Sequence, residues 1–211
     1  MKKNLFALIL SIVAILSFGQ SNKTHYIGIN ILQLPSSTIN LNYSVESSPL
    51  LTPMVDAGYA LGTYDFDLIS YFLIPHSKCY DGYDLQMPTG GYVKLGGYLN
   101  LRKDFEKSRF FHLGIFVTNS MVHEKGMYSP PPYKSDYPVK HTVFVSGLST
   151  SVGYEFNWGK RLKSSIDYQM SFPSDKYKDL YSYETFIPGM GFQGDRQRWY
   201  PMVIWNIKYR L

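Results

Sequence analysis

Apolar and polar residues alternate along most of the chain, in eight segments separated by turn-forming residues. A period of two is typical of a β-strand, in which successive side chains point to opposite faces. The apolar positions of the eight segments are Ile27, Ile29 and Ile31; Ile39, Leu41, Tyr43 and Val45; Val55, Ala57, Tyr59 and Leu61; Val93, Leu95, Leu99 and Leu101; Phe111, Leu113, Ile115 and Val117; Leu148, Val152, Tyr154 and Phe156; Leu162, Ile166, Tyr168 and Met170; and Val203, Trp205, Ile207, Tyr209 and Leu211. The intervening positions are mostly Asn, Ser, Gly, Asp, Glu and Lys. The pattern predicts an all-β protein of eight amphipathic strands.

Alternation fits two architectures. In a secreted β-sandwich the apolar face turns inward, whereas in a membrane barrel it contacts lipid and the polar face lines the interior. The segments run for about 9–12 residues, which suits a tilted strand that crosses a bilayer. Three long connections, at 64–90, 119–140 and 173–198, follow the third, fifth and seventh segments, so they lie at one end of the sheet. The short connections lie at 35–37, 46–53, 104–108 and 157–160. Short periplasmic turns with longer outer loops favour the barrel.

The N-terminus reads as a secretory signal peptide over residues 1–19. Lys2 and Lys3 precede an apolar run at 5–18, and small residues occupy Ser17 and Gly19, the two positions that a signal peptidase reads. The apolar run is shorter than the ~20 residues that a membrane-spanning helix needs. We therefore expect export, a mature chain that begins at Gln20, and a single barrel domain over residues 20–211.

Composition agrees with an aromatic barrel. Aromatic residues make up 17% of the chain and Tyr alone supplies 19 residues, while charged residues make up only 18%. Tyr and Trp favour membrane–water interfaces, where they form girdles. The girdle candidates are Tyr43, Tyr59, Tyr154, Tyr168, Trp205 and Tyr209. The net charge is +5, and the basic residues form no cluster, which argues against nucleic-acid binding. Cys79 is the only cysteine, so no disulfide can form within the chain.

The polar face carries acids and bases in balance. Its charged members are Glu46, Asp56, Lys94, Glu155, Lys163, Asp167, Lys208 and Arg210. Eight-stranded barrels are only wide enough for side chains to fill, and buried charges must pair. We predict that ion pairs fill the interior. A proton path or a narrow pore is the alternative.

The histidines give no catalytic or metal signature. His123-Glu124 begins like a zinc-protease motif, but Met127 stands where the second His belongs, and we place His123 in a polar loop. A lipid hydrolase would need a Ser next to a His base. His112 and His141 are followed two residues later by Gly114 and Val143, so neither offers a His-x-Ser pair on one strand face. We assign no catalytic, cofactor-binding or metal-binding residues, and no cofactor.

Taken together, the signal peptide, the eight alternating segments and the terminal Trp-Asn-Ile-Lys-Tyr-Arg-Leu resemble the small eight-stranded outer-membrane barrels of the OmpA-barrel and OmpX type, in particular their Bacteroidota versions. The resemblance covers 20–211 and implies an eight-stranded antiparallel transmembrane β-barrel in the outer membrane of a Gram-negative cell, with both termini periplasmic. It also implies contact with lipopolysaccharide and recognition of the C-terminal strand by the barrel-assembly machinery. The first outer turn, 35–37, is shorter than is common in those families.

These signatures are architectural and leave function open. We expect a non-enzymatic protein with a structural or surface-interaction role, in which the long extracellular loops offer a surface for a protein partner and nucleic acid is not bound. The Pro-rich segment 130–132 and the glycines of 189–194 lie in those loops. The alternatives are a lipid-modifying barrel enzyme, and a small porin-like pore or an accessory subunit of a larger outer-membrane complex.

Overall fold

The computed structural model describes residues 23–33, 38–61, 83–85, 89–128, 137–174, 185–193 and 199–211, and nearly all of them lie in strands or the turns between them. The strands are β1 (Thr24–Asn30), β2 (Thr38–Glu46), β3 (Leu51–Ala60), β4 (Tyr83–Leu85), β5 (Gly90–Asn100), β6 (Arg109–Tyr128), β7 (Tyr137–Asn157), β8 (Leu162–Pro173), β9 (Thr185–Ile187), β10 (Gly191–Gln193) and β11 (Tyr200–Arg210). A 3-10 turn, Ile31–Gln33, follows β1. Within the described ranges, no helix is long and apolar enough to cross a bilayer.

Eight of these strands close into an antiparallel barrel. In order around the wall they are β1, β2, β3, β5, β6, β7, β8 and β11, and every neighbouring pair is hydrogen-bonded. The barrel closes where β1 pairs with β11, from Tyr26 opposite Arg210 to Asn30 opposite Asn206. Because no edge of the wall is left unpaired, every strand satisfies its backbone groups within the barrel, as a hydrocarbon environment requires. The predicted fold class is confirmed.

Side chains alternate across this wall as the sequence predicts. On β2, Asn40 and Asn42 are buried in the barrel, while Ile39 and Leu41 point outward and are 60% and 55% exposed. The apolar positions predicted from the eight segments face outward in the same way, with Ile115 the most exposed of them in β6, at 63%. The outer surface of the barrel is therefore apolar, and the inner surface is polar.

Two strands are longer than predicted. β6 and β7 contain 20 and 21 residues, and their pairing continues to Tyr128 opposite Tyr137. The loop predicted at 119–140 is therefore wrong over most of its length, and His123 lies in β6 instead of a polar loop. The alternation persists in this region, but its polarity is reversed: Val122 and Val145 are buried, whereas Lys125 points outward. We call residues 120–128 and 137–145 the hairpin extension.

The connection predicted at 173–198 also contains structure. Within it, β9 and β10 form a short hairpin of their own. Ile187 and Met190, at its turn, are fully buried at the mouth of the barrel. The predicted signal peptide, the turn at 35–37, Cys79, the segment 130–132 and most of 64–90 lie outside the described residues.

The described connections define two ends of the barrel. The turns at 47–50, 101–108 and 158–161 lie at one end, which we call the turn end. The hairpin extension and the β9–β10 hairpin lie at the opposite end, which we call the loop end. The long connections therefore share one end, as the sequence predicts.

Candidate functional site

A chain of ion pairs fills the interior nearest the turn end. Arg102 donates to Glu46, with 2.8 Å between Nη2 and Oε1, and Lys163 donates to the same carboxylate oxygen. Lys163 also lies 3.4 Å from Glu155, whose other oxygen accepts from Lys208 at 2.8 Å. The cations contact rings as well, since the Arg102 guanidinium lies 4.2 Å from the centre of the Phe110 ring. Three cations and two carboxylates thus alternate in a line.

A histidine and an aspartate form the next layer. His112 Nε2 and Asp167 Oδ1 are 2.6 Å apart, and both side chains are almost completely buried. A carboxylate can only accept, so the imidazole proton of this bond lies on Nε2. The Ser165 hydroxyl donates to the other oxygen of Asp167 at 2.9 Å. The ring of Tyr98 packs against His112 with 4.3 Å between ring centroids.

A third cluster surrounds Lys94, nearer the loop end. Its ammonium donates to Gln169 Oε1 at 2.8 Å and lies 3.7 Å from Asp56. Asp56 in turn accepts from the amide of Asn40 at 3.0 Å and from the hydroxyl of Tyr92. These residues come from strands on different sides of the wall, so the cluster spans the lumen.

The predicted interior charges are confirmed with one exception. Each buried carboxylate in the described interior has a cationic or imidazole partner, which offsets the cost of removing it from water. Arg210 is the exception: it is exposed, because it is the last residue of β11 and lies at the rim of the turn end, although its backbone still pairs with Tyr26. Arg102 is a buried cation that the predicted set of interior charges did not include. Its burial, at 3% exposed, follows from Glu46 and from the carbonyl of Pro49, which accepts from its Nε.

An apolar cap closes the loop end above Lys94. It consists of Val122, Val145, Ile187, Met190 and Tyr200, with the half-buried Val143 packed against them. Side-chain hydrogen bonds attach the cap to the polar interior, since Gln169 Nε2 donates to the carbonyl of Gly189 at 3.1 Å and the Ser171 hydroxyl to that of Met190 at 2.8 Å.

The turn of the cap depends on two glycines. Gly189 and Gly191 have positive φ angles of 75° and 113°, a conformation that glycine adopts readily. Gly189 also lies against Tyr92, where a Cβ would approach the ring to 2.4 Å. Sequence reasoning missed the cap, although an apolar pair next to turn-forming Pro and Gly at 187–191 was the available signal.

The outward aromatic residues include all six girdle candidates. Tyr43, Tyr59 and Tyr209 are exposed, and Tyr154, Tyr168 and Trp205 are half-buried on the outer face. The hydroxyl of Tyr43 lies 2.6 Å from the Nδ1 of His25, and that of Tyr209 accepts from Arg161 at 3.0 Å, both near the turn end. Phe105 and Trp158 add exposed rings to the turns themselves. This end therefore combines aromatic rings with polar partners, as an interfacial belt does.

The described residues do not assemble a hydrolase triad around His112. The serine beside the pair, Ser165, donates to Asp167 and not to the imidazole, so its hydroxyl proton is not directed at a base. The pair is also buried in the lumen, whereas a lipid-cleaving site has to open towards lipid. His123, which begins the zinc-protease-like motif, bonds the Thr142 hydroxyl at 2.8 Å across the hairpin extension. Among the described residues, no three His, Cys, Asp or Glu side chains are placed to hold a metal ion.

Comparison with known proteins identifies the fold. No protein-family model and no curated protein matches the sequence. The chain is similar to a solved structure of a major outer membrane protein from Thermus thermophilus, with a TM-score of 0.53 and 12% identity over 91% of this chain and 100% of that chain. A second solved structure, the N-terminal β-barrel domain of Pseudomonas aeruginosa OprF, matches with a TM-score of 0.41 and 7% identity over 90% of this chain and 98% of that one. The first likeness shows that the chain has the fold of an outer-membrane barrel.

Proposed function

We propose that the protein is a non-enzymatic, non-conducting barrel of the outer membrane that holds the hairpin extension above the membrane as an interaction surface. The observation that carries this proposal is the length and reversed polarity of β6 and β7. A tilted strand crosses a bilayer in ~9–11 residues, and these strands continue for roughly as many again. Their continuation buries Val122 and Val145, and Lys125, Lys140 and Thr142 join Met127 and Phe144 on its outer face, which brings polar groups to the outside as a surface in water does.

The apolar outer wall supports the membrane location. Leu113, Ile115 and Val152 are between 44% and 63% exposed and lie in a continuous band of outward apolar residues. A soluble protein rarely exposes so extensive an apolar surface. The predicted signal peptide and the alternating C-terminal strand are consistent with export and with recognition by the barrel-assembly machinery, and lipopolysaccharide is the lipid we expect around the loop end.

The filled interior opposes a pore. The Lys163–Glu46 ion pair crosses the lumen at one level and the Lys94–Gln169 hydrogen bond at another, and the apolar cap lies above them. We expect the purified barrel in a planar bilayer to show no stable conductance steps. Regular single-channel steps from the wild-type protein would contradict the non-conducting part of the proposal and favour the pore alternative.

The orientation can be tested with single cysteines in a Cys79→Ser background. Lys125→Cys in the hairpin extension should react with a membrane-impermeant maleimide on intact cells. Lys160→Cys at the turn end should react only after the outer membrane is permeabilised. The reverse pattern would overturn the orientation that the proposal requires.

The interaction role can be tested with a photo-crosslinking amino acid. We expect Thr142, which points outward from the hairpin extension, to give covalent adducts with protein or polysaccharide on intact cells. Ile115, on the outer wall of the same hairpin, is the matched control and should crosslink to lipid. Lipid adducts alone at both positions would contradict an interaction surface at the hairpin extension.

A further inference from the structure

The turn end carries an excess of positive charge. Its exposed cationic side chains are Lys103, Lys107, Arg109, Lys160, Arg161 and Arg210. The exposed acidic side chains described at this end are Asp104 and Glu106. The buried carboxylates do not balance these exposed cations, because they already pair with cations inside the barrel. The turn end therefore presents a positive surface at the level where the apolar wall ends.

A groove at this end combines that charge with apolar surface. It has a volume of about 490 Å³ and lies between the turns 47–50 and 101–108. One side is formed by Leu50, Leu99 and Leu101, which are 54%, 48% and 52% exposed, and the rim by Lys103 and Lys107. Leu99 of β5 and Leu101, just after that strand, both point outward with the apolar wall, so the groove opens onto it.

Hydrogen bonds within the turn fix its backbone beside Lys107, and they are accepted by Asp104, the acid that also lines the groove. Asp104 Oδ1 accepts the backbone N–H groups of Glu106 and Lys107, each at 3.1 Å. Such a bond pattern fixes the turn, in the way that Asx turns do. Arg102 lies under the groove, but Glu46 and the carbonyl of Pro49 already bind its guanidinium. Lys103 and Lys107 are thus the cations that the groove presents to a ligand.

We propose that this groove binds a phospholipid with an anionic headgroup, taken from the membrane leaflet at the turn end. An acyl chain lies along Leu99 and Leu101, and the phosphate lies between Lys103 and Lys107. A lysine near a membrane surface attracts acidic lipid, and its long stem reaches the headgroup level while packing on apolar surface. A free anion would use the lysines but not the leucines. The inference rests on the membrane location proposed above.

The test measures lipid preference in the folded, mature barrel. The detergent-purified protein is titrated with phosphatidylglycerol or phosphatidylcholine of the same acyl composition, and bound lipid is counted by native mass spectrometry. We expect phosphatidylglycerol to bind more tightly. K103Q/K107Q should reduce that preference by roughly 25-fold, which is about fivefold for each lysine. The matched control K125Q/K140Q removes two lysines from the loop end and should leave the preference unchanged.

The possible outcomes test lipid binding by the groove separately from folding of the barrel. Equal binding of the two lipids, or an equal loss in both double variants, would overturn the groove as an acidic-lipid site. Competition by inorganic phosphate at the same concentration as the lipid would overturn the lipid as its ligand. L99S/L101S should weaken both lipids if the leucines hold an acyl chain, and unchanged binding would contradict that placement. Heat-modifiability of every variant reports on the barrel itself, so a failure of the proposed membrane protein is distinguishable from a failure of the groove.

Discussion

β6 and β7 contain two regions with opposite polarity. In the region nearer the turn end, His112, Ser151 and Glu155 are buried in the lumen while Ile115 and Leu148 face outward. In the hairpin extension Val122 and Val145 are buried together with Ser120 at its base, and the outward positions include Lys125, Lys140 and Thr142. Side chains keep alternating between the inner and outer faces without interruption from one region to the other. The balance of polar and apolar residues on each face therefore changes along the strands.

The proposed membrane location accounts for this difference, because the surroundings of the wall then change along its length. In water an apolar face has to turn inward, whereas in lipid it can face outward and the polar groups have to satisfy one another inside. Phe144, paired with Met121 and 78% exposed, lies at the transition. In the proposed membrane location, the edge of the lipid therefore lies near this residue pair.

The largest expected effect concerns the polar interior of the first region. Glu155→Ala leaves Lys208 without the carboxylate that it contacts at 2.8 Å and removes one of the partners of Lys163. Breaking a buried ion pair from one side costs about 3–5 kcal/mol. Denaturant titration in lipid vesicles, read by gel mobility, should show that loss. Glu106→Ala, at an exposed acid in a turn, is the control and should lie within ~0.5 kcal/mol of wild type.

A charge on the outer face should distinguish the two regions directly. Ile115→Arg puts a guanidinium on the apolar wall, and a charge at that depth destabilises a membrane barrel by about 2–4 kcal/mol. Met127→Arg places the same group on the same face of β6, in the hairpin extension, where the cost near or beyond the interface is ~0–1 kcal/mol. Equal costs at the two positions would contradict the change of surroundings.

The apolar interior of the second region can be tested at its cap. Gly189→Ala adds a methyl group at a φ of 75° and at 2.4 Å from the Tyr92 ring, which should cost about 1–3 kcal/mol. We expect faster amide hydrogen exchange at Ile187 and Met190. Gly159→Ala, with a φ of 147° but nothing within 4 Å, has the backbone strain without the contact and should leave exchange in the cap unaltered.

The smallest expected effect lies on the outer face of the hairpin extension. Lys125 and Lys140 are directly opposite each other across the strand pair, and like charges in that position are destabilising. Lys125→Glu should therefore stabilise the barrel by ~0.2–1 kcal/mol, and the gain should shrink as salt rises. A gain that is insensitive to salt would indicate that this face is not in contact with water.

The features that depend on local alternation could be predicted from the sequence. The outward set, the polar interior and the closed eight-stranded wall follow from a period of two, and residues such as Lys94 and Glu155 were identified as interior charges because they fall on the polar phase. Their partners could not be predicted, since Lys94 meets Gln169 across the lumen only when the barrel has closed.

The features that were missed depend on the surroundings of the barrel and on contacts between residues that are far apart in the sequence. The hairpin extension was taken for a loop because the outward apolar pattern expected of a strand fails there: Val122 and Val145 point inward, and Lys125 points outward. Ile187 and Met190 looked like loop residues because the surface that buries them comes from β6, β7 and β11. Arg210 was predicted to be inside because it alternates with the outward residues of β11. At the end of a strand, however, an inward position no longer guarantees that a side chain is buried.

Heat-modifiability of the mature protein in isolated outer membranes tests the central claim most directly. Unboiled and boiled samples are compared by detergent gel electrophoresis beside an outer-membrane marker. The closed barrel with its apolar face in lipid predicts that the protein is found in the outer-membrane fraction and that boiling changes its mobility. A soluble periplasmic protein whose mobility does not change on boiling would contradict the account.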